Sequence, residues 1–196
     1  FLLFAGLLAN AQQVTKTVAA DGSGDYKTVQ EAFNAVPYNN KKPITIIIGE
    51  GIYKEKLLLD STKNFVTLIG ANKFNTILTY GDKATFHNCR FIGYQDVLFV
   101  NNGRQYFQLC YIEGTTDFIF GSATAWFEQC HIHSKKNSHI TAASTPKEKK
   151  WGYVFNDCIL TGDTSLHNVS LGRPWRPYAS VTYMRCFIGE HIRPEG

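Results

Sequence analysis

The sequence predicts an all-β chain wound into a parallel β-helix, a solenoid closed at its N-terminal end by a short capping helix. Three observations carry that prediction. An aromatic, a cysteine and a third apolar residue recur in one frame: Phe86-x-x-Cys89-x-Phe91, Phe107-x-x-Cys110-x-Ile112, Phe127-x-x-Cys130-x-Ile132, Phe155-x-x-Cys158-x-Leu160 and Tyr183-x-x-Cys186-x-Ile188. Successive cysteines stand 21, 20, 28 and 28 residues apart, as expected when equivalent inward positions return once per stacked coil. Within each frame the last apolar residue follows the cysteine by two, the period of a strand with one buried face. Finally, Val29, Ala32, Phe33 and Val36 fall at helical spacing over residues 26–36, and Pro37 stops the run. A helix there would cover the open end of a solenoid, which otherwise exposes strand edges.

The elements follow in order. Residues 1–11 are almost wholly apolar and end in Ala9-Asn10-Ala11, the small-x-small pattern of a signal-peptidase site. They read as the remnant of a signal peptide, which makes 12–196 a single exported domain, secreted to the cell exterior or the periplasm. Residues 14–19 alternate as a strand, and Asp21-Gly22-Ser23-Gly24 turns the chain into the helix. Residues 44–48, 53–59 and 65–69 read as strands of the first coils, parted by Gly, Asp or Asn turns. The wider spacing after Cys130 leaves room for loops over 134–138 and 161–170, and loops on one side of a solenoid commonly build its cleft.

Composition narrows the function classes. A chain of 196 residues supports one domain with a real core. No stretch after the N-terminal run is long and apolar enough to span a membrane. The net charge of +4 is mild and suits a polyanionic substrate. The run Lys147-Glu148-Lys149-Lys150 carries an acid and follows a proline, so it reads as a solvated loop rather than a nucleic-acid interface. The five cysteines are odd in number and occupy core slots whose side chains point the same way, so the expectation is a ladder of buried free thiols. Cys130-His131-Ile132-His133 alternates faces and no paired CxxC occurs, so no metal site is expected. Ser23 and the six histidines form no recognisable triad with an acid.

The repeat is also a ruler for polar residues. Asp96 lies seven residues after Cys89 and Asp117 seven after Cys110, so they occupy one position on neighbouring coils. Parallel strands lie about 4.8 Å apart, which sets the two carboxylates side by side if both point outward. Asp96-Val97-Leu98-Phe99 aligns with Asp117-Phe118-Ile119-Phe120 around them. Facing carboxylates raise the cost of ionising each other, and such a pair is a candidate acid/base or nucleophile pair. The other reading, two solvated corner residues, is weakened by the sequence context.

That context resembles the pectin methylesterase (pectinesterase) family. Gly93-Tyr94-Gln95-Asp96, Asp117-Phe118-Ile119-Phe120-Gly121 and Leu171-Gly172-Arg173-Pro174-Trp175 are similar to its signature segments. Asp21-Gly22-Ser23-Gly24-Asp25-Tyr26 and Gly51-Ile52-Tyr53-x-Glu55 are similar to its opening segments. The resemblance implies a right-handed parallel β-helix that hydrolyses methyl esters of homogalacturonan to pectate and methanol without a cofactor, acting as a monomer. It implies Asp117 as nucleophile, Asp96 as general acid/base, Arg173 as the cation orienting the nucleophile and Gln95 as an oxyanion donor. Trp175 suits a sugar face, and Tyr94 and Phe118 either line subsites or only pack. Between Thr79-Tyr80 and Gly81-Asp82 the family's further stretch of about two coils is missing, and with it a glutamine in a QAVAL-like segment that serves as second oxyanion donor. The strand near Leu78 must then dock directly on the coil of Phe86. Two other readings share the fold: a pectin-binding β-helix without turnover, and a β-helical polygalacturonase or pectate lyase.

Overall fold

The computed structural model describes residues 14–70, 73–79 and 81–196. The apolar run at 1–11, read above as a signal-peptide remnant, lies outside them. Strand β1 (Val14–Val18) pairs in parallel with β2 (Ile44–Ile48), and between them runs helix α1 (Val29–Asn34). The helix is shorter than its apolar spacing suggested because Thr28 ends it on the N-terminal side with a capping box to Glu31. The Glu55 carboxylate accepts from the Val29 and Gln30 amides, both at 3.0 Å. At the other end the buried Lys63 ammonium donates to the carbonyls of Phe33, Asn34 and Val36 at 2.8–2.9 Å, satisfying groups the helix leaves open. Val29, Ala32 and Phe33 are buried, so the helix covers the end of the core as expected.

From β2 onward the chain stacks coil on coil, with all neighbouring strands parallel. The first coil holds β2 and β3 (Ile52–Leu59), and the second β4 (Val66–Gly70) and β5 (Lys73–Thr79). The third holds β6 (Ala84–His87), β7 (Arg90–Ile92) and β8 (Leu98–Val100), and the fourth β9 (Arg104–Gln108), β10 (Tyr111–Gly114) and β11 (Ile119–Gly121). The fifth holds β12 (Thr124–Glu128), β13 (His131–Ser134) and β14 (His139–Ala143), and the sixth β15 (Tyr153–Asn156), β16 (Ile159–Gly162) and β17 (Ser170–Gly172). The last strands are β18 (Val181–Met184) and β19 (Phe187–Ile188). One sheet runs β1-β2-β4-β6-β9-β12-β15-β18, and the remaining strands form the second.

The cysteine frame is a corner. Asn88, Leu109, Gln129, Asp157 and Arg185, each just before a cysteine, adopt φ between 51° and 54°, a left-handed conformation that turns the chain from one sheet into the other. The aromatic before each corner points inward, and Phe86, Phe107, Phe127, Phe155 and Tyr183 stack with centroids 4.4–4.7 Å apart. The cysteine after it fills the inside of the turn. The thiols of Cys110, Cys130, Cys158 and Cys186 lie 3.4–3.5 Å from the carbonyl of the aromatic one coil back, as in Cys130 to Phe107, and 3.3–3.5 Å from a carbonyl of their own corner. A small side chain with a weak S–H donor suits that slot. All five cysteines are free, and four are fully buried.

The second coil docks straight onto the coil of Phe86. Leu68 pairs with Phe86, and Ile77 pairs with Leu98. The stack closes in register across the point where the sequence lacks the family's extra coils.

Candidate active site

The aspartates owe their position to a second corner, between β7 and β8 and between β10 and β11. Phe91 pairs with Ile112 and Leu98 with Ile119, so the intervening bends stack and Asp117 lies in register with Asp96. Both sit in the left-handed region, Asp96 at φ 56° and Asp117 at φ 50°. Aspartate tolerates this conformation better than most residues, and strain of this kind concentrates at functional sites. The Asp117 amide donates to the His139 carbonyl at 2.8 Å, and the Asp96 amide to the Thr116 carbonyl at 3.3 Å.

The two carboxylates have different surroundings. Asp117 is 5% exposed and gripped by Arg173, whose Nε donates to Oδ1 at 3.0 Å and whose Nη2 donates to Oδ2. A bidentate fork of this kind binds an ionised carboxylate. These bonds also raise the pKa of Arg173, fixing its charge. Asp96 faces solvent without such a cation of its own. Partial desolvation of its carboxyl where it lines the pocket, then the charge of Asp117, push its pKa up from the ordinary value, while the Gln95 side chain and Arg173 pull against that rise. The arrangement separates an anion from a neighbouring acid that holds its proton longer.

Arg173 is itself held from behind. Its amide donates to the Thr141 carbonyl at 2.9 Å. The carbonyl of Leu171 accepts from Thr141 Oγ1 at 3.0 Å and from the Tyr183 hydroxyl at 2.9 Å. Gly172 between them has no room for a side chain, because a Cβ there would stand 2.0 Å from Thr141 Oγ1. That close approach explains the glycine in Leu171-Gly172-Arg173-Pro174-Trp175.

Asp96, Asp117, Arg173, Gln95 and Trp175 converge on one pocket of about 160 Å³, with Phe120 and Ala142 completing its wall. Trp175 is 47% exposed, and its ring meets Phe120 edge-on at 6.2 Å. Phe120 in turn stacks on Phe99 at 4.5 Å. Tyr94 is 78% exposed on the bend and is not part of this wall. Phe118 corrects the sequence reading: it is wholly buried and offers the cleft nothing. Phe120 lines the pocket instead. Its signal was the two-residue alternation, since the inward Ile119 turns Phe120 outward.

On the other flank the equivalent bend is missing. Six residues separate Phe91 from Leu98 and Ile112 from Ile119, but β5 runs straight from Phe74 to Ile77 with only two between. The second coil therefore lacks the bend that carries Asp96 and Asp117 on the next two coils.

A family model described as pectinesterase matches the chain in two segments, residues 15–83 and 75–196. Pectinesterase 31 of Arabidopsis thaliana is 32% identical over 237 residues, covering 91% of this chain and 75% of the relative. Putative pectinesterase 11 of the same plant is 34% identical over 226 residues, covering 91% of this chain and 63% of the relative. The structure of pectin methylesterase from carrot superposes with a TM-score of 0.75 at 27% identity, covering 92% of this chain and 75% of that one. Since 91% of 196 residues is about 178, about 59 of the 237 positions aligned with pectinesterase 31 have no counterpart here. The two matched segments meet at residues 75–83, where β5 hands over to the third coil.

Proposed function

The chain belongs to the pectinesterase family, and from that premise we propose that it hydrolyses the methyl esters of homogalacturonan with Asp117 as nucleophile and Asp96 as general acid/base. The observation that carries this reading is the register of the two corners, which puts an Arg173-bound carboxylate beside a carboxyl of raised pKa.

The roles follow from these environments. The Asp117 carboxylate attacks the C6 carbonyl of an esterified galacturonate, and the Gln95 amide donates to the oxyanion that forms. Asp96 gives its proton to the departing methoxide, which leaves as methanol and leaves an acyl-Asp117 anhydride. Asp96, now a carboxylate, takes a proton from a water that attacks the acyl carbon. This releases the galacturonic acid, which gives its proton to solvent, and restores Asp117 as an anion and Asp96 as an acid. Trp175 and Phe120 supply apolar faces for the sugar.

The substrate is a cell-wall polymer, so this reading includes export and action outside the cell, by a monomer whose catalytic groups all come from one chain. No helix among the described residues is long and apolar enough to cross a membrane. The straight β5 favours one second reading, a β-helix that binds pectin with slow or no turnover, since losing one oxyanion donor costs about 10²–10³ in rate. Methanol release by wild type and Asp117→Asn separates the two. The esterase reading expects release by the wild type and none by the variant, with unchanged circular dichroism. A wild type as silent as the variant would leave the binding shell.

A further inference from the structure

Asp117 precedes β11 on the fourth coil and Arg173 follows β17 on the sixth, with β14 of the fifth coil paired to both strands. His139, the first residue of β14, is bonded to each side of that gap. Its carbonyl accepts from the Asp117 amide at 2.8 Å. Its ring Nδ1 is hydrogen-bonded to the hydroxyl of Ser170, which is its register partner and the first residue of β17.

Ser170 is 1% exposed, so water does not compete for its hydroxyl. The hydroxyl proton faces the Gly172 carbonyl at 3.4 Å, which leaves the oxygen to accept from His139 and makes Nδ1 the protonated ring nitrogen. The Gly172 carbonyl is one half of the peptide unit that leads into Arg173. The other half, the Arg173 amide, donates to the Thr141 carbonyl at 2.9 Å. One line of bonds therefore joins the nucleophile's backbone, His139, Ser170 and the backbone from which Arg173 projects.

We propose that His139 is a positioning residue, which through Ser170 aims the Arg173 fork at the Asp117 carboxylate. The inference rests on the esterase reading for the reaction it serves. Packing alone does not aim Arg173, because its side chain is 52% exposed. Its two bonds to Asp117 depend on where the backbone at 172–173 stands relative to the bend at Asp117, and His139 touches both. A small slip of one coil against the other would move the guanidinium off a carboxylate that must hold its attack geometry.

The test compares three variants of the full chain. His139→Leu removes the ring nitrogen, His139→Asn returns an amide nitrogen close to the position of Nδ1, and Ser170→Ala removes the partner hydroxyl. Two quantities are read: kcat and KM on methylated pectin, and the hydrogen-exchange rate of the Arg173 Nε–H by NMR, which follows the fork without turnover. His139→Leu is expected to lower kcat about tenfold with KM within about twofold, and to speed Nε–H exchange about tenfold. His139→Asn is expected to restore both quantities to within about threefold of the wild type. Ser170→Ala is expected to match His139→Leu, and the double variant to lose no more than either single one, since both break the same line of bonds. A lower melting temperature with unchanged kcat and unchanged exchange, no restoration by asparagine, or losses that add in the double variant would overturn the proposal. A wild type that releases no methanol removes the esterase reading alone, because exchange at Arg173 still decides whether His139 holds the fork.

Discussion

Two corners of the same coil use one backbone device for opposite ends. Asn88 and Asp96 on the third coil, and Leu109 and Asp117 on the fourth, all turn the chain through a left-handed residue. At the cysteine corner the thiol fills the turn, lies near its carbonyls and is repeated on five coils. At the aspartate corner the left-handed residue is itself the proposed catalytic group, and among the described residues only the third and fourth coils place an aspartate there. The cysteine corner is what makes the coils equivalent. The aspartate corner is where they are allowed to differ, and the loss of a bend on the second coil leaves the stack intact while removing one flank of the site.

That comparison predicts that chemistry and stability separate by corner. The largest effect falls on Arg173→Lys, which keeps the charge but loses the fork on Asp117. Turnover is expected to fall about 10²-fold or more, read from kcat on methylated pectin. Gln95→Ala removes the amide that lines the pocket beside Asp96 and is expected to lower kcat about 10²-fold with little change in melting temperature. A rise in KM with kcat unchanged would assign Gln95 to ground-state binding instead.

At the cysteine corner the effects reverse. Cys130→Ala leaves a small void and removes the S–H near the Phe107 and Glu128 carbonyls, so it is expected to destabilise by about 1–2 kcal/mol, a drop of roughly 2–8 °C in melting temperature. Its kcat should stay within about twofold, and a larger loss would mean that the corners are coupled. Smallest is Leu109→Asn, which places an amide that tolerates the left-handed region where a leucine now sits at φ 53°. A gain of about 0.5–1 kcal/mol is expected.

Asp96 links the two scales. Burial and Asp117 raise its folded pKa above the unfolded value, so between those two values the folded state binds more protons than the unfolded one. Stability therefore falls as pH rises through that window. Asp96→Asn removes this loss, and its melting temperature is expected to exceed that of the wild type at neutral pH and not below the ordinary carboxylate range. Its activity is lost, as is usual where a strained site gives up stability for function.

Much of this was legible in the sequence, for a physical reason. A solenoid repeats its core once per coil, so the Phe-x-x-Cys-x-apolar frame fixed register, and register placed Asp96 beside Asp117. Arg173 stands 56 residues from Asp117 and no repeat spacing reaches it. It was found only through its resemblance to the family's segment. Of the two readings of Phe118, packing holds: it lies in the bend between the left-handed Asp117 and the start of β11, where strand alternation does not apply and Phe118 and Ile119 are both buried. The straight path of β5 was hidden as well. A missing segment in a sequence shows that residues are gone, but not whether the neighbouring coil keeps its bend.

The most direct measurement is methanol release from highly methylated pectin by the purified chain, run beside an assay for new reducing ends. The account predicts methanol with one new carboxylate per methanol and no new reducing ends. A folded protein that releases no methanol, or one that generates reducing ends, would contradict it.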